Sequence, residues 1–181
     1  GDDGMAAAER ALELDAHLAE AHAVKARILS QYGRHDEASA EIDVALRLDP
    51  ESYEVNKSAA YLRLRQRRLD EAIRFYEKAM TLMEMDVNSP TLLMTCYGAV
   101  GQAENARRAA HVALARAERI LAQDQNNGAA MGYGVCALAC LGEAERAREW
   151  INRALLIDPD NMNMRYNFAC SLTVLKETEA A

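Results

Sequence analysis

The chain has 181 residues, 50% of them apolar and 27% charged, with a formal net charge of -7. This is too apolar for a disordered chain and too acidic for the broad basic surface of a non-specific nucleic-acid binder. No apolar run approaches the roughly 20 residues that span a bilayer, and the opening GDDGMAAAER lacks the basic-then-apolar pattern of a secretory signal. Neither a nucleic acid nor a membrane is therefore expected as a partner. The four cysteines (Cys96, Cys136, Cys140, Cys170) do not have the dense spacing of a secreted disulfide framework, so a reducing cytoplasm is the expected setting. Ala, Glu, Arg and Leu dominate and no run alternates with period two, which predicts an all-α chain.

Pro50 and Pro159 follow the similar strings ALRLD and ALLID, and they anchor an internal repeat. Residues 5–15 read as a second helix without its first, with Ala7, Ala11 and Leu14 on one face. The first whole unit is 19–52: AEAHAVKARILSQY, a turn at Gly33, then DEASAEIDVALRL, with Asp36 placed to cap. The second, 53–86, repeats it after a shift of about 34 residues, with Arg67 where the other turns have Gly, which predicts a positive φ there at some cost in strain. The third, 87–127, starts at Asn88-Ser89-Pro90, where Asn or Ser suits a cap, and its second helix runs about two turns longer than its counterparts. That extra length breaks the spacing before the fourth unit, 128–161. Residues 162–176 read as the first helix of a fifth. Both ends are thus half-units, with Phe168, Leu172 and Leu175 expected on an exposed apolar face. The expectation is an excised piece of a larger array or multidomain protein, with self-association through the terminal half-repeats as a further option.

The period and its small residues resemble the tetratricopeptide repeat. The residues that carry the likeness are Ala26, Gly33, Ala38, Ala45 and Pro50; Ala60, Ala72 and Ala79; Met94, Tyr97, Gly101, Ala106 and Ala113; Leu138, Gly142, Ala147, Ala154 and Pro159; and Phe168, Ala169 and Leu172. No Trp opens a unit, Arg63 takes a place that is usually aromatic or apolar, and Val135 one that is usually small. The resemblance implies a single array over 1–181: a right-handed superhelical solenoid of antiparallel helix pairs, about ten helices, truncated at both ends. More narrowly, LMEMDVNSPTLLMTCYGAVGQAENARRAA and RALLIDPDNMNMRYNFAC are similar to the repeat region of bacterial regulatory proteins carrying a nucleotide-cyclase homology or DNA-binding domain and a TolB-like segment. On that likeness this chain would be a regulatory or dimerisation segment in signalling, and any catalysis would lie in the parent protein.

In this family first helices line a concave groove, which implies a protein or peptide partner held by Arg27, Lys57, Tyr61, Arg65, Asn88, Thr95, Cys136, Asn163 and Tyr166. The groove would be charged at its N-terminal end and small-lined at its C-terminal end. The Lys and Asn clamp of some members is not expected, since Tyr61 follows Lys57 where that clamp has Asn, and Asn167 stands alone at the place of an asparagine ladder. Lys57, Arg63, Arg65, Arg67, Arg68 and Arg74 either grip a carboxylate or phosphate or form a solvated helix end near Asp70, Glu71 and Glu77; the second reading is favoured. Cys136, Cys140 and Cys170 lack a fourth zinc ligand and read as buried thiols. His17, His22, His35 and His111 are scattered and read as structural or exposed. Gly132 and Gly134 sit in a helix with no preceding strand, so they read as a close helix contact rather than a phosphate loop. No nucleophile–base set emerges, so neither enzymatic activity nor a metal or cofactor is expected.

Overall fold

The computed structural model describes residues 2–175, apart from the side chains of Asp2 and Asn163. Among them are ten α-helices and no strand: α1 (Asp2–Leu14), α2 (Ala19–Gln31), α3 (His35–Leu48), α4 (Tyr53–Arg65), α5 (Leu69–Leu82), α6 (Asn88–Ala99), α7 (Ala103–Gln123), α8 (Gly128–Leu141), α9 (Ala144–Ile157) and α10 (Met162–Val174). The first helix begins at Asp2 rather than at residue 5.

Each junction from a first to a second helix closes in the same way. Within two residues of the helix end the chain adopts positive φ, at Gly33, Arg67, Gly101 and Gly142, with φ of 76°, 59°, 75° and 79°. The next N–H then reaches back five residues: Arg34 to the Leu29 carbonyl at 2.9 Å, Arg68 to Arg63 at 2.9 Å, Gln102 to Tyr97 at 2.8 Å and Glu143 to Leu138 at 2.9 Å. These bonds satisfy carbonyls that the helix end leaves open. Arg67 takes this geometry despite its Cβ, as its position in the repeat predicts.

The second helices start with no side-chain cap, because the closing turn leads straight into them; Asp36 lies inside α3 and caps nothing. First helices do use side chains. Ser52 accepts from the Val55 N–H, Asn127 from Ala130 and Asn161 from Met164. At α6 neither Asn88 nor Ser89 caps. Asp86, just upstream, accepts from both their N–H groups at 2.9 and 3.1 Å, and a carboxylate suits the positive end of the helix dipole better than an amide or hydroxyl does.

The chain divides into two units, Gly1–Met83 and Glu84–Ala181. In the first, α1 packs on α2, α2 pairs with α3 and α4 with α5, and α2 lies beside α4. Its core is built of small and branched side chains: Ala19, Ala23, Ala26, Leu29, Ala38, Ile42, Ala45, Val55, Ala59 and Leu62. In the second, α6, α8 and α10 form a row of first helices, and α7 and α9 back them. Leu121, Ala130, Met131, Val135, Ile151, Ala154, Met164, Phe168 and Leu172 make its core. Phe168 and Leu172 are thus buried against α8 and do not form the exposed apolar face expected of them; Leu175 is half-buried. The exposed apolar residues of α10 are Met162, Tyr166 and Val174.

Helix α7 has 21 residues against 14 in α9, close to two extra turns. Ala117 and Leu121 in the extension are buried. Arg116 donates to the Asp86 carbonyl at 2.7 Å and Arg119 pairs with Glu84 at 2.7 Å, so the same extension steadies the segment that caps α6.

Candidate functional site

In the first unit, α2 and α4 carry Arg27, Lys57, Tyr61 and Arg65. Arg27 and Arg65 are exposed; Lys57 and Tyr61 are half-buried. Lys57 spends its charge locally, with its Nζ 3.7 Å from Glu54 and 4.9 Å above the Tyr53 ring. The expected basic cluster does not hold together as one solvated patch. Arg63 is only 5% exposed, and its Nη2 donates to Asp43 at 2.9 Å while its Nη1 donates to Gln66 at 3.1 Å. Its Nε lies 3.4 Å from Glu71, within ion-pair range but off the line a hydrogen bond requires. Gln66 continues to the Ser39 hydroxyl at 2.8 Å. Arg63 therefore ties α3, α4 and α5 together. Sequence reasoning flagged its odd position but not Asp43, which lies on another helix.

His22 is also committed. Its Nδ1 is 2.6 Å from Glu41 and its Nε2 is 3.1 Å from the Ala16 carbonyl, while Lys25 reaches the other Glu41 oxygen at 2.7 Å. Both ring nitrogens already face oxygens, so the ring is held between α3 and the segment before α2. His17, His35 and His111 are exposed.

The second unit carries Asn88, Thr95, Cys136, Asn163 and Tyr166, and among the described residues none of these expected ones lines its cavity. Asn88 on α6 donates its Nδ2 to the Tyr133 hydroxyl on α8 at 3.0 Å. Between α8 and α10 lies a cavity of 210 Å³, lined by Gly128, Ala129, Gly132, Tyr133, Asn161, Met164 and Asn167. Gly132 opens it: a Cβ there would stand 3.7 Å from Asn167 Nδ2. Gly134, two residues on, does the opposite job. A Cβ there would fall 2.1 Å from Trp150 Cζ3, so this glycine lets the α9 indole lie against α8. Beyond the cavity, the Ser171 hydroxyl donates to the Asn167 carbonyl at 2.8 Å and lies 3.6 Å from Cys136 Sγ. Tyr166 is 70% exposed, and the Cys170 thiol hydrogen-bonded to it one turn on pushes its phenol above the ordinary value. Thr95 is exposed on α6. The Asn163 side chain lies outside the described residues. Tyr133, Asn161 and Met164 were missed as lining residues. Asn161 had a sequence signal, since it repeats Asn127 as a cap one period on.

Burial pushes the Cys96 thiol up to about 11, and it also raises Cys136 and Cys140. Cys136 and Cys140 are half-buried and Cys170 is exposed, so the expectation of buried thiols fails at Cys170. Among the described residues no three His, Cys, Asp or Glu side chains converge as a metal site requires, and no helix is long and apolar enough to cross a membrane.

No protein-family model and no curated protein matches the sequence. Solved structures do match its shape. The chain is similar to YrrB, described as a TPR protein with an unusual peptide-binding site (21% identity, 96% of this chain and 86% of that one, TM-score 0.59). It is similar to TTC0263, a thermophilic TPR protein of Thermus thermophilus (16% identity, 93% and 89%, TM-score 0.69), and to BtubC from P. vanneervenii (19% identity, 99% and 84%, TM-score 0.65). The fold is that of tetratricopeptide-repeat proteins. Within this TPR fold, the row α6–α8–α10 is a row of first helices, and the cavity lies on it. Charge separates this row from the first helices of the other unit. No charged residue occurs in α6 or α8 and only Arg165 in α10, whereas α2 carries Glu20, Lys25 and Arg27, and α4 carries Glu54, Lys57, Arg63 and Arg65.

Proposed function

We propose that this chain is an interaction scaffold and that the row α6–α8–α10 holds a peptide or protein segment. The observation that carries this is the 210 Å³ cavity between α8 and α10, with the Asn167 amide beside it. The amide makes no hydrogen bond through its side chain among the described residues. A pocket with a few convergent polar groups is a default binding site, and binding in it would draw on a few anchors rather than on total area. The peptide-binding site reported for YrrB agrees in kind. The test is an ¹H–¹⁵N spectrum of the labelled protein titrated with a peptide selected from a random display library. Shifts centred on Gly132, Tyr133 and Asn167 are expected. A panel of selected peptides that all bind elsewhere would overturn the assignment.

On the first unit, Arg27, Lys57, Tyr61 and Arg65 offer a basic set suited to an acidic or polar segment, and Lys57→Glu with Arg65→Glu should weaken such a ligand without unfolding the helices. Self-association through the ends would use Leu14 or Met162, Tyr166 and Val174, which are exposed; sedimentation against concentration tests it. The four unpaired thiols suit a reducing compartment such as the cytoplasm. The narrower likeness to cyclase-associated regulatory repeats rests on two sequence runs, and the similar structures add nothing to it.

A further inference from the structure

We infer that the segment held on α6–α8–α10 is uncharged and inserts one aromatic side chain between α8 and α10; this rests on the binding reading above. Three observations on the second unit converge. The first is the absence of charge from α6 and α8. A cationic guest would lose water here and meet no carboxylate on α6, α8 or α10, which is costly, and the one charge on these helices is the exposed Arg165. A neutral guest avoids that cost, in contrast to the mixed-charge first helices of the other unit.

The second is size. A cavity of 210 Å³ exceeds the roughly 150 Å³ that admits benzene, so it has room for one ring. The third is the lining. The floor at Gly132 lacks a Cβ and lets a flat face approach the helix backbone. Tyr133 also lines it, with its hydroxyl held by Asn88 of α6. The opposite side brings the Met164 sulfur, which would stand 3.6 Å from a Cβ on Gly128, and thioethers favour ring edges. A branched aliphatic guest would fill the same space without the sulfur–ring contact. Asn167, in the lining, offers a neutral donor and acceptor matched to a peptide group rather than to an ion.

The experiment uses the full chain as bait for a random peptide display library, with Gly132→Leu as counter-bait and circular dichroism confirming that both fold. Gly132→Leu places its side chain in the cavity; Asn167→Ala gives a second, milder lesion. The expected binders carry an obligatory Phe, Tyr or Trp among Ser, Gly, Asn and Gln. Replacing the ring with Ala, or the bait with Gly132→Leu, should cost about tenfold or more in affinity, as for a buried anchor. Between about 0.05 and about 0.5 M NaCl the affinity should change less than about twofold, because no exposed ion pair is being screened. Binders that depend on Gly132 but carry acidic, basic or aliphatic anchors, or that weaken steeply with salt, would overturn the inference and leave the binding face in place. A library yielding only Gly132-independent binders would overturn the face itself.

Discussion

Gly134→Ala and Gly132→Ala should move stability in opposite directions, although both replace glycine by alanine inside α8. Alanine is favoured over glycine in a helix interior by about 1 kcal/mol, and both variants start from that gain. At Gly132 the new methyl meets Asn167 Nδ2 at 3.7 Å, an ordinary contact, so the gain survives. At Gly134 the methyl would lie 2.1, 2.8 and 3.1 Å from three carbons of the Trp150 ring, where carbon atoms settle at about 3.5–4.0 Å. The rigid indole must swing outward or α9 must move away, and overpacking of this kind costs about 1–3 kcal/mol. The net effect is a loss of up to about 2 kcal/mol at Gly134 against a gain near 1 kcal/mol at Gly132. At about 2–4 °C per kcal/mol for a chain of this size, the two melting temperatures should separate by several degrees. Trp150 is the sole tryptophan, so its fluorescence reads the contact directly. Urea melts followed by fluorescence and far-ultraviolet circular dichroism give the free energies, and the Gly134→Ala emission should shift to the red as the half-buried indole is displaced. Equal stabilisation by both variants, with unchanged emission, would refute the packing of Trp150 against Gly134.

Other substitutions test the rest of the framework. Arg67→Gly removes a left-handed penalty of about 1–2 kcal/mol but adds glycine's unfolded-state entropy of about 0.5–1 kcal/mol, so the urea midpoint should rise modestly; a fall would show that the Arg67 side chain outweighs its strain. Arg63→Met should cost about 1–3 kcal/mol by chemical denaturation, below the 3–5 kcal/mol of a fully buried pair, because Asp43 and Glu71 keep contact with water; a loss above that range would mean that the partners are effectively dry. Burial alone would raise the Glu41 carboxyl, but hydrogen bonds from Lys25 and His22 outweigh it and hold it below the ordinary range. A carboxyl depressed in the folded state contributes stability above its unfolded value of about 4.3, and that contribution is lost as pH falls through the folded value. Glu41→Gln should therefore flatten the acid limb of stability below about pH 4.3, measured by urea melts across pH, and an unchanged limb would dissociate Glu41 from acid unfolding.

The helices were legible because repetition supplies the same information several times over. Gly33, Gly101 and Gly142 announce the turns, and the register then forces Arg67 into the same backbone state against its own preference. The long α7 could be read from an uninterrupted run of helix formers. The caps were less legible, because a cap depends on where the first turn begins to within a residue. Asn88 and Ser89 looked right by type, yet Asp86 stands at the distance that reaches two N–H groups. Phe168 and Leu172 misled for a related reason. A first helix looks unpartnered when only a second helix of its own unit is considered, but it also packs on the first helix before it, and α8 covers both residues.

The cavity was the hardest feature to see in advance, and Gly132 and Gly134 show why. In the sequence they are one motif, two glycines around a tyrosine, and a single role was assigned to the pair. In the fold they face different helices. What stands opposite Gly134 is a ring that needs the missing methyl, and what stands opposite Gly132 is an amide that leaves the space open. The separation follows from helical geometry, since neighbours two apart point to different sides of a helix. The binding reading therefore depends on a distinction that local sequence does not encode: one glycine is used up by packing and the other is not. The absence of charge gives that distinction its chemical content. An opening with ionic side chains around it would select its ligand by charge. This one leaves shape and neutral hydrogen bonds as the means of selection, which is why salt dependence, rather than binding strength, is the sharper discriminator of what it holds.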